Sequence, residues 1–287
     1  MGDAKRRRQQ FFERHPLCCF CGGRAAATTI DHVPAKITFW GKRRPAGLEM
    51  PACTACNGGT KNLERAAALF AHIRMADNRT PEQREEHLKL ARGVGIDFPG
   101  WQHEFYAVPD HDEAGRVPAG VKPMNVGPLM QDAIHAVGAK LAFTLHYHHT
   151  GTIVPEAGFV SVRFETNVTI QSRQLPPDQI ALLRPTELLR QGEWTSEGHF
   201  AYRGNWVTDG SGSVFIAHLG EAFFLVLRAD AEAPEAGEFN HQDPALRLVR
   251  PGDLQQADAV ARKRYKAMLP VDRLTGAASG TLGFEHI

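Results

Sequence analysis

The stretch CCFCGGRAAATTIDHVPAK, residues 18–36, decides how the head of this chain is read, together with its answering stretch CTACNGGTK, residues 53–61. Cys18 and Cys21 are two residues apart, and so are Cys53 and Cys56. That spacing lets both thiolates of a pair reach one tetrahedral ion, and the glycines that follow each pair let the chain turn tightly. Two pairs supply four ligands and close the site, so the expected ion is a structural Zn²⁺ held by Cys18, Cys21, Cys53 and Cys56. Cys19 is left over and reads as a small buried or partly exposed thiol. All five cysteines fall between residues 18 and 56. Such clustering suits metal binding in a reducing compartment better than a disulfide framework, and the start MGDAKRRRQQFFERH lacks the apolar core of a secretory signal. The expected location is cytoplasmic. No run of apolar residues approaches a membrane span.

Between the two cysteine pairs stands IDHVPAK, and Asn57 follows the second pair at once. In extended chain Asp31 and His32 point to opposite faces. A histidine with a near-neutral pKa suits a general base, and a carboxylate with an amide oxygen suits Mg²⁺. The order Cys-x-x-Cys, Asp-His, Cys-x-x-Cys-Asn, then Lys resembles the zinc-containing branch of the HNH endonucleases, whose core is a ββα-metal unit. The resemblance covers about residues 15–65. It implies a DNA endonuclease with His32 as general base and with Asp31 and Asn57 holding a catalytic Mg²⁺ or Mn²⁺. RNA is the alternative substrate, since the chemistry does not depend on the sugar. The sequence departs from the family at its middle asparagine, where Gly47 and Leu48 stand; a backbone carbonyl, Glu49 or Asn62 would then orient His32. A non-catalytic zinc module that binds nucleic acid or protein is the competing reading.

Charge is unevenly spread. Residues 1–65 carry a net +7 and the remainder a net −6, which points to a polyanion partner for the head. Lys36, Lys42, Arg43, Arg44 and Lys61 are the candidate phosphate contacts, and Lys5 to Arg8 read as a solvated basic tail. ARKRYK, residues 261–266, reads as a solvated helix face. The histidines 135, 146, 148 and 149 lie near one helix C-terminus, where imidazolium is welcome, and lack acidic or cysteine partners in sequence. Trp101, Trp194 and Trp206 read as packing residues. DGSGS, residues 209–213, is not a phosphate loop, because no Lys follows it.

The expected fold class is α+β: an N-terminal zinc-stapled ββα unit over residues 1–77, a connecting segment over 78–123, and a C-terminal α+β part with an antiparallel sheet over 124–287. The C-terminal part would serve specificity, oligomerisation or regulation, and is the candidate surface for a homo-oligomer. Helices are expected over 62–77, 80–91, 127–149 and 254–268. The third of these would bury Met130, Ile134, Val137, Leu141 and Leu145. Helical spacing, broken by Pro185, also runs over 177–190. Strands are expected over 159–170, 199–207, 213–219 and 221–229, with a short one at 104–108.

Overall fold

A computed structural model describes residues 2–73, 79–102, 126–166, 183–221, 223–234, 243 and 245–268. The centre of the molecule is one helix. Gly127 and Pro128 open it, and Gly151 closes it at φ +71° with its N–H on the Tyr147 carbonyl, an opening and closing that these residues favour. In order along the chain, the helices are α1 (Asp3–Arg14), α2 (Thr54–Gly58), α3 (Lys61–Ala71), α4 (Pro81–Asp97), this central α5 (Pro128–Thr150) and α6 (Ala257–Met268). Nearly every residue from Leu129 to His146 is buried, so α5 is a core helix with no solvent face over most of its length.

One side of α5 rests on a five-stranded antiparallel sheet. Its order is β6 (Phe200–Trp206), β7 (Gly212–Leu219), β8 (Phe223–Asp230), β3 (Phe159–Thr166) and β9 (Leu246–Val249). Burial alternates along β7 and β8, the pattern of a sheet with one covered face. Gly138 marks the closest approach: a Cβ there would lie 2.4 Å from Val162 Cγ1. The other side of α5 faces α3 and the head. Phe20 of the head meets Phe143 of α5 edge-on at 6.5 Å. Nearly all the buried apolar residues form one cluster running from Cys18 to Tyr265, so the head and the sheet share a core.

The head contains a two-stranded antiparallel ribbon, β1 (Thr29–His32) and β2 (Glu49–Ala52), in the register Thr29 to Ala52, Asp31 to Met50 and His32 to Glu49. The short α2 follows β2, and α3 restarts after Gly59 and Thr60. The glycine is there for space: a Cβ on Gly59 would lie 2.2 Å from the Leu254 carbonyl oxygen. The orphan N–H groups at the start of α3 are satisfied from the far end of the chain, since Asp258 accepts from Asn62 N at 2.9 Å and Leu63 N at 3.0 Å. A carboxylate at a helix N-terminus also complements the helix dipole.

The expected helices appear as α3, α4, α5 and α6, and the expected strands as β3, β6, β7 and β8. Three things differ. Lys5 to Arg8 belong to the helix α1, in which no residue is buried. The described part of 177–190 is not helical: Glu187 bridges Tyr202, and Arg190–Gln191 forms a short strand, β4, against Trp194–Thr195, β5. Pro185 and the pairing with β6 override the helical spacing there. The edge strand β9 forms where no strand is expected. The strand expected at 104–108 lies outside the described residues. Among the described residues, no helix is long and apolar enough to cross a membrane.

Two of the four α5 histidines are buried beyond reach of water. His146 Nδ1 lies 3.0 Å from Ser213 Oγ and its Nε2 lies 3.3 Å from Thr152 Oγ1. Burial pulls its pKa down to about 4. The unfolded chain therefore takes up a proton near pH 6.5 that the folded chain refuses until about pH 4, so this residue removes stability as pH falls through that window. Urea unfolding should show that His146→Gln flattens the fall of stability between pH 6.5 and 4.5 by about 1.4 kcal/mol per pH unit relative to wild type.

Candidate metal centre and the Asp31–His32 strand

The sulfurs of Cys18, Cys21, Cys53 and Cys56 all lie within 4.8 Å of one another, and all four residues are buried. Thiolates around one zinc sit about 3.8 Å apart at Zn–S of about 2.3 Å, so this donor set fits zinc. No disulfide joins them. Each pair sits in a tight turn. Gly22 and Gly23 adopt φ of +67° and +74°, and the Gly23 N–H returns to the Cys18 carbonyl at 3.2 Å. Cys53 caps α2, with its sulfur accepting the Cys56 N–H at 3.4 Å. By themselves the sulfurs hold one thiolate at the expense of its neighbours: the hydrogen bond from Cys56, helped by the backbone N–H groups of Cys53 and Phe20, brings Cys18 down to about 5 against burial, while that same hydrogen bond, then burial, raises Cys56, and burial with the Cys18 charge pushes Cys21 up to about 11. Cys19 stands outside the cluster, and burial raises its thiol well above the usual range.

The cluster anchors the ribbon. Cys19 N–H bonds the Pro51 carbonyl of β2 at 3.0 Å, and Thr28 N–H bonds the Ala52 carbonyl at 2.9 Å. Asn57, delivered by the second pair, donates its side-chain amide to Thr29 Oγ1 at 3.0 Å. Thr29 is two residues before Asp31 and so projects to the same face of β1. Asp31 and His32 take opposite faces as expected: Asp31 is buried at 5% exposure and His32 is half-buried. Burial, then the charges of Lys36 and Arg44, lower the His32 pKa. Its ring is therefore neutral at physiological pH, the form able to accept a proton.

Asp31 meets a residue that the head does not supply. Lys140, on α5 and 2% exposed, brings its ammonium 2.6 Å from Asp31 Oδ2, an ion pair set by distance more than by hydrogen-bond alignment. The same ammonium bonds Glu64 Oε1 of α3, which also accepts from Thr60 Oγ1 at 2.6 Å. Burial pushes the Glu64 carboxyl up against the opposing pull of Lys140. Burial also works against charge on Lys140, but Glu64 and Asp31 outweigh it and hold its pKa above the usual value. A cavity of about 10 Å³ is lined by His32 itself, with Val33, Pro34, Ala35, Thr38, Glu64, Val137 and Lys140. That is room for one water at most.

Arg44 corrects an expectation. Expected at a phosphate, it is buried at 7% exposure. Its guanidinium bonds the carbonyls of Pro34 at 2.8 Å, Val33 at 2.9 Å and Pro45 at 3.0 Å, as well as that of Gly47, and it pairs with Glu49 at 3.1 Å. It organises the loop between β1 and β2 from inside. Lys36, Lys42, Arg43 and Lys61 are exposed. At the departed middle position Gly47 and Leu48 adopt φ of +112° and +51°, and the Leu48 carbonyl accepts Val33 N–H at 3.2 Å. Glu49, opposite His32, gives its carboxylate to Arg44 and to Gly47 N–H, and Asn62 N–H is spent on Asp258.

The remaining candidates are engaged elsewhere. His135 Nε2 bonds the Ala245 carbonyl oxygen at 3.1 Å, and His149 Nε2 lies 3.2 Å from Tyr202 Oη. Trp206 stacks on His149 at 4.0 Å, with the Arg184 guanidinium 3.7 Å from the Trp206 ring centre. In ARKRYK, Arg262 pairs with Asp97 and Arg264 with Asp132, while Lys263 and Lys266 are exposed. Sequence reasoning missed Lys140, Arg44 and Asp258 as structural partners. Lys140 carried a signal: it stands between Val137 and Leu141 of an apolar stripe, where a lysine has to find an anion.

Comparison with family models, with curated proteins and with solved structures finds no match to this chain.

Metal analysis of the purified chain should return one zinc per chain, and Cys53→Ser should lose the zinc and unfold the head together with the shared core. Lys140→Met leaves two buried carboxylates without their cation. Urea unfolding should show a loss of about 3–5 kcal/mol, part of which returns when Glu64→Gln is added.

Proposed function

We propose that this chain is an endonuclease of HNH type that hydrolyses DNA phosphodiester bonds, with His32 as the general base. The observation that carries the reading is the shared neighbourhood of three parts. Asn57, from the turn that carries Cys53 and Cys56, bonds Thr29, two residues before Asp31 on the strand that ends in His32, a neighbourhood that supports the resemblance. His32 is half-buried and neutral, so it can take the proton of a water that attacks phosphorus while the bond to the leaving oxygen breaks. Exposed Lys36, Lys42, Arg43 and Lys61 are the cations available to the phosphate backbone, and the basic α1 adds to the same field. Zinc would serve position only: it fixes Asn57 and β2 relative to β1.

The resemblance also implies Mg²⁺ or Mn²⁺ between Asp31 and Asn57. Asp31 as folded does not fit that ion. Its carboxylate is buried against the Lys140 ammonium, 2.6 Å from Oδ2. No step is therefore drawn through a divalent ion. RNA offers the same phosphodiester and stands as the alternative substrate. The Lys140 contact favours a second reading as well, a zinc-stapled module that binds nucleic acid or protein without cutting.

Purified chain, mixed with supercoiled plasmid, single-stranded DNA and RNA with and without chelator, should cleave DNA, and His32→Ala should lower the rate by about 10²-fold or more. Salt-sensitive binding with no cleavage of any substrate, unchanged in His32→Ala, would establish the binding module in its place.

A further inference from the structure

The buried face of β1 brings two carboxylates and one ammonium together largely out of solvent. Asp31, Lys140 and Glu64 show side-chain exposures of 7%, 2% and 15%. They come from three separate elements, β1, α5 and α3. The Lys140 ammonium touches both acids, and the Phe20 ring lies 5.8 Å from its nitrogen, closing the apolar side. The space beside the ammonium is the cavity of about 10 Å³, which Lys140, Glu64 and His32 line and Asp31 does not. Mg²⁺ demands near-octahedral oxygen ligands at about 2.0–2.1 Å and gives up its waters reluctantly. A hydrated divalent ion cannot enter a one-water cavity. Nor can it reach Asp31 Oδ2 without displacing an ammonium already 2.6 Å away, and two cations at that distance repel.

We infer that Lys140 is itself the resident cation of the Asp31 site. Its ammonium occupies the place beside Asp31 that the HNH resemblance gives to Mg²⁺ or Mn²⁺, and the folded chain takes no divalent ion there. The inference rests on reading Asp31–His32 as the strand end of a nuclease unit. It changes what that unit is. The positive charge is covalently part of the fold, delivered by α5, and is not drawn from solution. Lys140 is too deep to touch a phosphate, so it acts as a positioning residue. It fixes the Asp31 carboxylate on the inner face of β1, and the strand then fixes the outward direction of His32.

The test is direct binding, separate from catalysis. The zinc-loaded full chain is titrated with Mn²⁺, and free Mn²⁺ is followed by electron paramagnetic resonance, with zinc content measured alongside. Wild type and Asp31→Asn should bind Mn²⁺ identically, with no site that depends on Asp31. Lys140→Gln should gain one Mn²⁺ site, and Asp31→Asn in that background should abolish it. If Lys140→Gln fails to retain zinc, the double variant Glu64→Gln/Lys140→Met replaces it, since it buries one uncompensated carboxylate instead of two. A wild-type Mn²⁺ site lost in Asp31→Asn overturns the inference and leaves the nuclease reading intact with a metal at Asp31. Zinc-retaining Lys140 variants that gain no site also overturn it, because Lys140 would then not be what excludes the ion. Cleavage by wild type against His32→Ala decides the nuclease reading independently of either result.

Discussion

Four sulfurs drawn within 4.8 Å of one another are the constraint on which the head depends. The ribbon they hold has two strands of four residues each, and an isolated two-stranded ribbon is marginal in water. Cys19 N–H and Thr28 N–H tie the first knuckle and its exit to β2, while Cys53 caps the helix that carries Asn57. The cross-link therefore sets the strand register and the position of Asn57 together. It also places Phe20 on the inner side, where it meets Phe143 of α5.

The head is not an appendage. Arg24 bonds the Cys21 carbonyl at 3.1 Å, the Pro251 carbonyl at 2.9 Å and Glu156 at 3.2 Å, so the first knuckle is laced to two distant loops. Asp258 caps α3 from the last helix, and Gly59 is bare so that the Leu254–Gln255 backbone can close on it. Lys140 joins β1 to α3 through α5. These ties are polar and directional, unlike the apolar cluster around them. A buried ion pair adds little net stability compared with well-packed apolar side chains, but breaking it by removing one partner is costly. Register follows from that asymmetry: a slip of one residue in β1 would turn Asp31 outward and leave Lys140 and Glu64 without it.

The parts of this architecture that local pattern determines were legible in sequence. Cysteine spacing is local, so the four-sulfur site could be read from it. The stripe from Met130 to Leu145 has a helical period, and α5 follows it. The apolar, β-rich runs 213–219 and 221–229 mark β7 and β8, with Leu219-Gly220 at the turn between them. What was not legible depends on partners distant in sequence. β9 is four residues long and is a strand only because β3 offers it an edge. The span around Pro185 had helical spacing but is extended because β6 pairs with it at Glu187. Arg44 looked like its exposed neighbours Lys42 and Arg43, since nothing local says that the chain will fold back over it. The positive φ of Gly47 and Leu48 belongs to that same fold-back, which turns carbonyls inward to meet the guanidinium.

Asp31 shows why a motif fixes residue types before it fixes roles. An acid beside a histidine at a strand end defines two directions, and both are kept: Asp31 in, His32 out. The strand cannot define what the inward carboxylate meets. A metal role needs an open coordination sphere and water, whereas burial at 5% exposure needs a partner that brings its own charge and no waters. Lysine on a core helix meets the second need. Its presence in α5 is explicable only through Asp31 and Glu64, as theirs is through it. The inner face of β1 is thus occupied by the protein itself: Asp31, Lys140 and Glu64 pair there, while His32 stays half-buried at the strand end.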